Sequence, residues 1–147
     1  MIDTTELEKV LVKKCVELYK EMLDEHKEIE KTDHRIDYGV PPKYILIKQY
    51  DGVEKTEHFN KGTIIKAWIY KDNELKSIPN DVAMEEDPER SGMYYKQATG
   101  EFYRDIENRK AYVNMSYGPR YGRGYSYDLI LDAEEILLEN EDVLWVS

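Results

Sequence analysis

Residues 5–30 carry an apolar stripe that no glycine or proline interrupts. Leu7, Leu11, Cys15, Leu18, Met22 and Ile29 recur at steps of three and four, with His26 filling the one gap. Steps of that size return side chains to one face of a helix with 3.6 residues per turn. Val10, Val12 and Tyr19 widen the stripe, and Thr5 followed three residues later by Glu8 is a capping-box pattern. The spacing predicts one amphipathic helix over 5–30. A helix with a single apolar face must bury it against another layer.

The pattern changes to strands after a connection at 31–43 that ends in Tyr38-Gly39-Val40-Pro41-Pro42. Tyr44–Tyr50 reads as a strand, and Asp51-Gly52 then predicts a tight hairpin into a second strand from Val53 to Phe59. Asn60-Lys61-Gly62 is the next turn, and Thr63–Tyr70 a third strand. Lys71-Asp72-Asn73-Glu74 turns into a short fourth strand, Leu75–Ile78, so the segment reads as a meander. Met93–Ala98 and Glu101–Ile106 flank Thr99-Gly100, which reads as a turn. Ala111–Tyr117 and Tyr125–Leu131 flank a glycine-rich loop. The segment 132–147 is ambiguous: 133–139 has helical propensity, whereas Val143-Leu144-Trp145-Val146 has the look of a strand. The fold expected is α+β, one long N-terminal helix packed on a mostly antiparallel sheet, in a single domain over 1–147.

Composition excludes several classes of protein. With one cysteine, Cys15, no intramolecular disulfide can form. No apolar run reaches the roughly 18–20 residues of a membrane span. The start, Met1-Ile2-Asp3-Thr4-Thr5-Glu6, is acidic where a secretory leader is basic and then apolar, which predicts a cytoplasmic protein with no membrane association. The 31 acidic side chains outnumber the 21 lysines and arginines, and a net charge of −10 repels phosphate. Direct binding of nucleic acid is therefore not expected, whereas a basic protein would be attracted and steered in.

The charge is unevenly distributed. Residues 128–147 hold Asp128, Asp132, Glu134, Glu135, Glu139, Glu141 and Asp142 and no basic side chain, a local charge of −7. A second acidic run includes Asp81, Glu85, Glu86, Asp87 and Glu89 and belongs on the surface, as a loop or a short solvated helix. Each run is either a solubilising coat or a docking face for a basic partner.

The densest motif is Tyr117-Gly118-Pro119-Arg120-Tyr121-Gly122-Arg123-Gly124-Tyr125. Its glycines allow close backbone approach, and Arg120 and Arg123 could fork onto a phosphate or carboxylate. It is neither a Walker loop nor a dinucleotide fingerprint. The simpler reading, preferred on the sequence alone, is a plain connection whose arginines pair the chain's own carboxylates. Eight of the 13 tyrosines lie between Tyr94 and Tyr127, which suits either a protein interface or a tyrosine-rich sheet edge.

Catalytic and metal signatures are missing from the sequence. His34 beside Asp33 invites comparison with a metal site, but no His-x₃-His or Glu-x-x-His pair supports it, and His58 stands apart. No Gly-x-Ser-x-Gly elbow occurs, and Cys15 falls mid-helix on the apolar face, where a thiol is inert. No cofactor, metal or catalytic residue is assigned.

This small, acidic chain, bearing Gly118-Pro119-Arg120-Tyr121-Gly122-Arg123-Gly124 and ending Val143-Leu144-Trp145-Val146-Ser147, resembles the immunity proteins (antitoxins) of bacterial polymorphic toxin systems. The resemblance implies a cytoplasmic inhibitor that binds a secreted toxin's catalytic domain, often a nuclease, and blocks it. Such proteins bind through surfaces peculiar to each pair, so the resemblance transfers no individual residue. From the residues themselves, the candidate partner-binding set is Glu85, Glu86, Asp87, Arg120, Tyr121, Arg123, Tyr125, Asp128, Glu134, Glu135 and Trp145. The alternatives are a small-ligand-binding domain or small enzyme using the loop 118–124, and a phage-type nucleic-acid mimic that blocks a nuclease. A homodimer through a sheet edge or the tyrosine-rich face is equally compatible with the sequence.

Overall fold

A computed structural model of the chain describes residues 4–32, 42–51, 63–81, 90–91, 94–95, 97–117, 121–131 and 135–146. One helix, α1 (Thr4–Thr32), packs on one face of a seven-stranded sheet. The strands are β1 (Tyr44–Tyr50), β2 (Ile64–Lys71), β3 (Glu74–Ile78), β6 (Gln97–Asp105), β7 (Lys110–Tyr117), β8 (Tyr121–Leu131) and β9 (Ile136–Val146). A separate two-stranded ribbon pairs β4 (Arg90–Ser91) with β5 (Tyr94–Tyr95). The sheet order is β3-β2-β1-β6-β7-β8-β9. Every neighbouring pair is antiparallel except β1 and β6, which run parallel. This is the expected α+β architecture.

The helix is held by the stripe that the sequence displays. Leu7, Leu11, Cys15 and Met22 are fully buried, and Val12, Leu18 and Tyr19 nearly so. The side chains of His26 and Ile29 lie outside those described. Each buried leucine or methionine of the stripe contributes roughly 1.5–3 kcal/mol relative to exposure. The stripe meets Ile45 and Ile47 of β1, Ala98 and Phe102 of β6, Ala111, Val113 and Met115 of β7, and Tyr125, Tyr127 and Leu129 of β8. Those residues alternate along their strands, as a period of two requires when only one face receives the helix. Tyr19 also donates its hydroxyl to the Pro42 carbonyl at 2.9 Å, which ties the strand entry to the helix.

The turn at Asp72-Asn73 forms as expected. Both residues have positive φ, 52° and 62°, as a type I′ hairpin demands, and Lys71 pairs with Glu74 across it.

Three expectations are corrected. The first concerns the hairpin after β1. Its antiparallel partner is Ile64–Lys71, and its other edge is taken by β6. Asp51 closes the β1–β2 ladder by bonding Thr63 through backbone and carboxylate, each at 3.0 Å, so its short side chain caps a wide connection. The segment 53–59 lies outside the described residues.

The second is the turn at Thr99-Gly100. Gln97–Asp105 is one unbroken strand, and Gly100 sits inside it under the helix. A Cβ at Gly100 would fall 3.1 Å from Ile45 Cδ1 and 3.4 Å from both Cβ and Sγ of Cys15. The glycine is there so that helix and sheet can approach, a role that sequence alone confuses with a turn. The third is the glycine-rich loop, which is shorter than expected. β8 already begins at Tyr121, so Gly122 and Gly124 are strand residues opposite Ser116 and Asn114.

The described part of the ambiguous C-terminal segment, 135–146, forms the strand β9 from Ile136. β9 pairs with β8 from Leu131↔Ile136 to Arg123↔Val146, with two register shifts and Asn140 at φ 53° between them.

Candidate partner-binding edge

β9 ends the sheet and has a strand neighbour on one side only among the described residues. Ile136 and Leu138 pack partly against the core, while Val143, Leu144 and Val146 are 53%, 46% and 65% exposed. Glu139, Glu141 and Asp142 are exposed on the same strand, and Glu135 is exposed just before it. The edge therefore combines a backbone side with no strand partner among the described residues, exposed aliphatic side chains and carboxylates. Eleven residues in such an edge form a template for another chain unless charge guards it.

Not all of the acidic stretch is available. Asp128 on β8 accepts from Lys110 Nζ across the β7–β8 ladder and from Asn140 Nδ2 at 2.7 Å. The Lys110 ammonium first, and the Asn140 amide second, hold its carboxyl below the usual 3.8. The same bond raises Lys110 above its ordinary value, against a smaller opposing effect of desolvation. Glu141 accepts the Tyr127 hydroxyl at 2.7 Å and lies 4.0 Å from Lys14 Nζ. Burial first, then that hydrogen bond, pushes the Tyr127 phenol far above its ordinary value. Glu135, Glu139 and Asp142 make no ion pair among the described residues, so their charge faces solvent.

Arg123 is engaged at the other side of β8. Its Nη1 and Nη2 donate to Glu25 Oε1 and Oε2 at 2.9 and 3.0 Å, a two-pronged bond from sheet to helix. The guanidinium thus pairs one of the chain's own carboxylates. Tyr125 is 8% exposed, in the core, with its ring stacked at 6.3 Å on that of Tyr127. Tyr121 opens β8 opposite Tyr117, and Trp145 lies on β9 opposite Gly124. Glu85, Glu86, Asp87, Arg120 and Glu134 lie outside the described residues. Of the sequence-derived candidates, Glu135 and Trp145 fall at opposite ends of the edge strand, and Asp128 lies on the neighbouring β8 opposite Glu139. Arg123 and Tyr125 belong to the helix-facing side.

The exposed Val143, Leu144 and Val146, and the pairing of their strand, were not singled out from the sequence as a site. The available signal was the apolar run Val143–Val146 itself. Cys15 is fully buried, its thiol pushed up by desolvation and then by the Glu101 charge, which is the inert state expected of it. Among the described residues no cluster of three metal-ligating side chains occurs, and no helix is long and apolar enough to cross a membrane. No family model, curated protein or solved structure matches the chain.

Proposed function

We propose that the protein is a non-enzymatic inhibitor that binds a basic protein, in the manner of an immunity protein or antitoxin acting in the cytoplasm on a nuclease toxin. The observation that carries this reading is the β9 edge, where Val143, Leu144 and Val146 stand exposed on the same strand as Glu139 and Asp142. Aliphatic contact supplies the desolvated centre of an interface, and surrounding carboxylates steer a cationic partner towards it. The free backbone edge adds main-chain hydrogen bonds if the partner offers a strand. Carboxylates set in a nuclease cleft would take the places of substrate phosphates. The engagement of Arg123 by Glu25 draws support away from an anion-binding enzyme site at the glycine-arginine segment.

The test is recovery of the partner from the native host, its identification, and reconstitution of inhibition with purified components. Association is expected to slow several-fold in Glu139→Lys/Asp142→Lys and to weaken with salt, because exposed charges act through a screened field. Val143→Ser/Val146→Ser is expected to speed dissociation. Salt-insensitive association, or unchanged binding by both double variants, would overturn the proposal.

A further inference from the structure

At the opposite end of the sheet, a cleft of ≈ 610 Å³ opens between α1 and the β2–β3 hairpin. It exists because the helix packs on β1, β6, β7 and β9, so the hairpin extends beyond the area the helix covers. Val12 and Val16 form the helix wall, with Trp68, Tyr70 and Leu75 facing them from the hairpin. Trp68 is braced from behind by Phe102, the two rings stacked at 5.8 Å.

The polar groups of this cleft contrast with the rest of the chain. Its lining holds Lys9, Lys13 and Lys66 against the single carboxylate of Glu8, in a protein whose net charge is −10. Outside the lining, Lys20 Nζ lies 5.6 Å over the Tyr70 ring. Glu8 is 8% exposed and fixes one end, with Lys66 Nζ at 2.7 Å and Arg104 Nη1 at 3.7 Å. Next to that end, Gln49 pairs in register with Lys66 and is fully buried. Neither its amide nitrogen nor its amide oxygen has a hydrogen-bond partner among the described residues. Gln49 does not line the cleft, so the ligand contacts come from the lining side chains alone.

We propose that this cleft binds a small organic anion with a flat apolar body, an aryl carboxylate or sulfonate. The volume falls within the range of roughly 300–1,000 Å³ typical of small-molecule sites. The aromatic and valine walls suit a ring system; Lys9 is paired by Glu6 at 3.3 Å and Lys66 by Glu8, so Lys13 supplies the excess positive charge at the rim. The site is separate from the β9 edge and does not rest on the proposed partner.

The probe is 1-anilinonaphthalene-8-sulfonate, titrated into the purified chain beside its uncharged counterpart, N-phenyl-1-naphthylamine. One saturable site per chain is expected, with energy transfer from Trp68 that Trp68→Phe removes. Lys9→Glu/Lys13→Glu is expected to weaken the anion about tenfold, because two exposed charges are reversed, and to leave the melting temperature nearly unchanged. Val16→Trp should fill the cleft and abolish binding, with far-UV circular dichroism confirming the fold. The Glu139→Lys/Asp142→Lys variant should bind the probe as wild type does. Equal affinity for the uncharged counterpart, or no loss on charge reversal, would overturn the proposal. So would sedimentation showing a dimer that Val16→Trp disrupts, since a second copy would then be the occupant.

Discussion

Arg123 on β8 grips Glu25 on α1 with both nitrogens of its fork, at 2.9 and 3.0 Å, across 98 residues of chain. The two side chains are 34% and 41% exposed, so water screens much of the attraction. A double-mutant cycle between Arg123→Ala and Glu25→Ala is therefore expected to give a coupling of about 0.5–1 kcal/mol. Arg123→Lys should lose part of it, since an ammonium cannot reproduce two parallel bonds. Zero coupling in urea denaturation would show that the pair does not contribute to holding the helix in place.

Gly100 sets how closely helix and sheet approach. An alanine there meets Ile45 Cδ1 at 3.1 Å, and that methyl is the end of a side chain with some freedom to shift. Gly100→Ala is expected to cost about 1 kcal/mol, and Gly100→Val about 2–3 kcal/mol or more, as overpacking of a filled core does. Combining Gly100→Ala with Ile45→Val should recover part of the loss. Additive costs in that pair would mean that the clash lies elsewhere.

The Asp128–Lys110 pair sets a pH dependence with a definite sign. The Asp128 carboxyl is held below 3.8 by Lys110 and Asn140. A depressed carboxylate stabilises the fold above its unfolded value and loses that contribution as pH falls through the folded one. Asp128→Asn is therefore expected to be less stable than wild type at neutral pH, with the gap closing as the solution is acidified below 3.8. Lys110, raised above 10.5, keeps its contribution up to that pH and loses it only at higher alkalinity. Urea midpoints at neutral and acid pH distinguish this from a gap that persists, which would assign the loss to packing.

Cys15 should react with iodoacetamide only when the helix leaves the sheet. It is fully buried, and its thiol is pushed up by that burial. The labelling rate is expected to rise with urea in step with unfolding followed by circular dichroism. Rapid labelling of the native protein would show that the helix–sheet contact opens locally.

The helix, the strand Tyr44–Tyr50 and the Asp72-Asn73 turn were legible in the sequence because each is specified by neighbours in the chain. The stripe from Leu7 to Met22 needs only a period, and the turn needs only two residues that tolerate positive φ. Gly100 was misread because Thr-Gly carries the chemistry of a turn, whereas its role depends on Cys15 and Ile45, both distant in sequence. The helix-prone residues 136–139 lost their local preference once pairing with β8 offered Ile136 and Leu138 a core to join. The site was legible as an acidic tail and not as an edge, since an edge is defined by which strands fail to pair with it. The Arg123–Glu25 bond and the lysine-lined cleft depend on residues brought together from separate elements, which no local pattern encodes.

The one parallel pair in the sheet has a consequence for how the molecule comes apart. β1 to β3 are joined by antiparallel partners that follow closely in the chain, and so are β6 to β9. Among the described strands, the only backbone ladder joining the two sets is that of β1 with β6, Ile45 beside Ala98 and about fifty residues away. Closing so wide a loop costs entropy that local hairpins do not pay. The helix touches strands on both sides of the join, so it acts as a splint across a seam, and loosening it would let the sheet part into two leaves along that line.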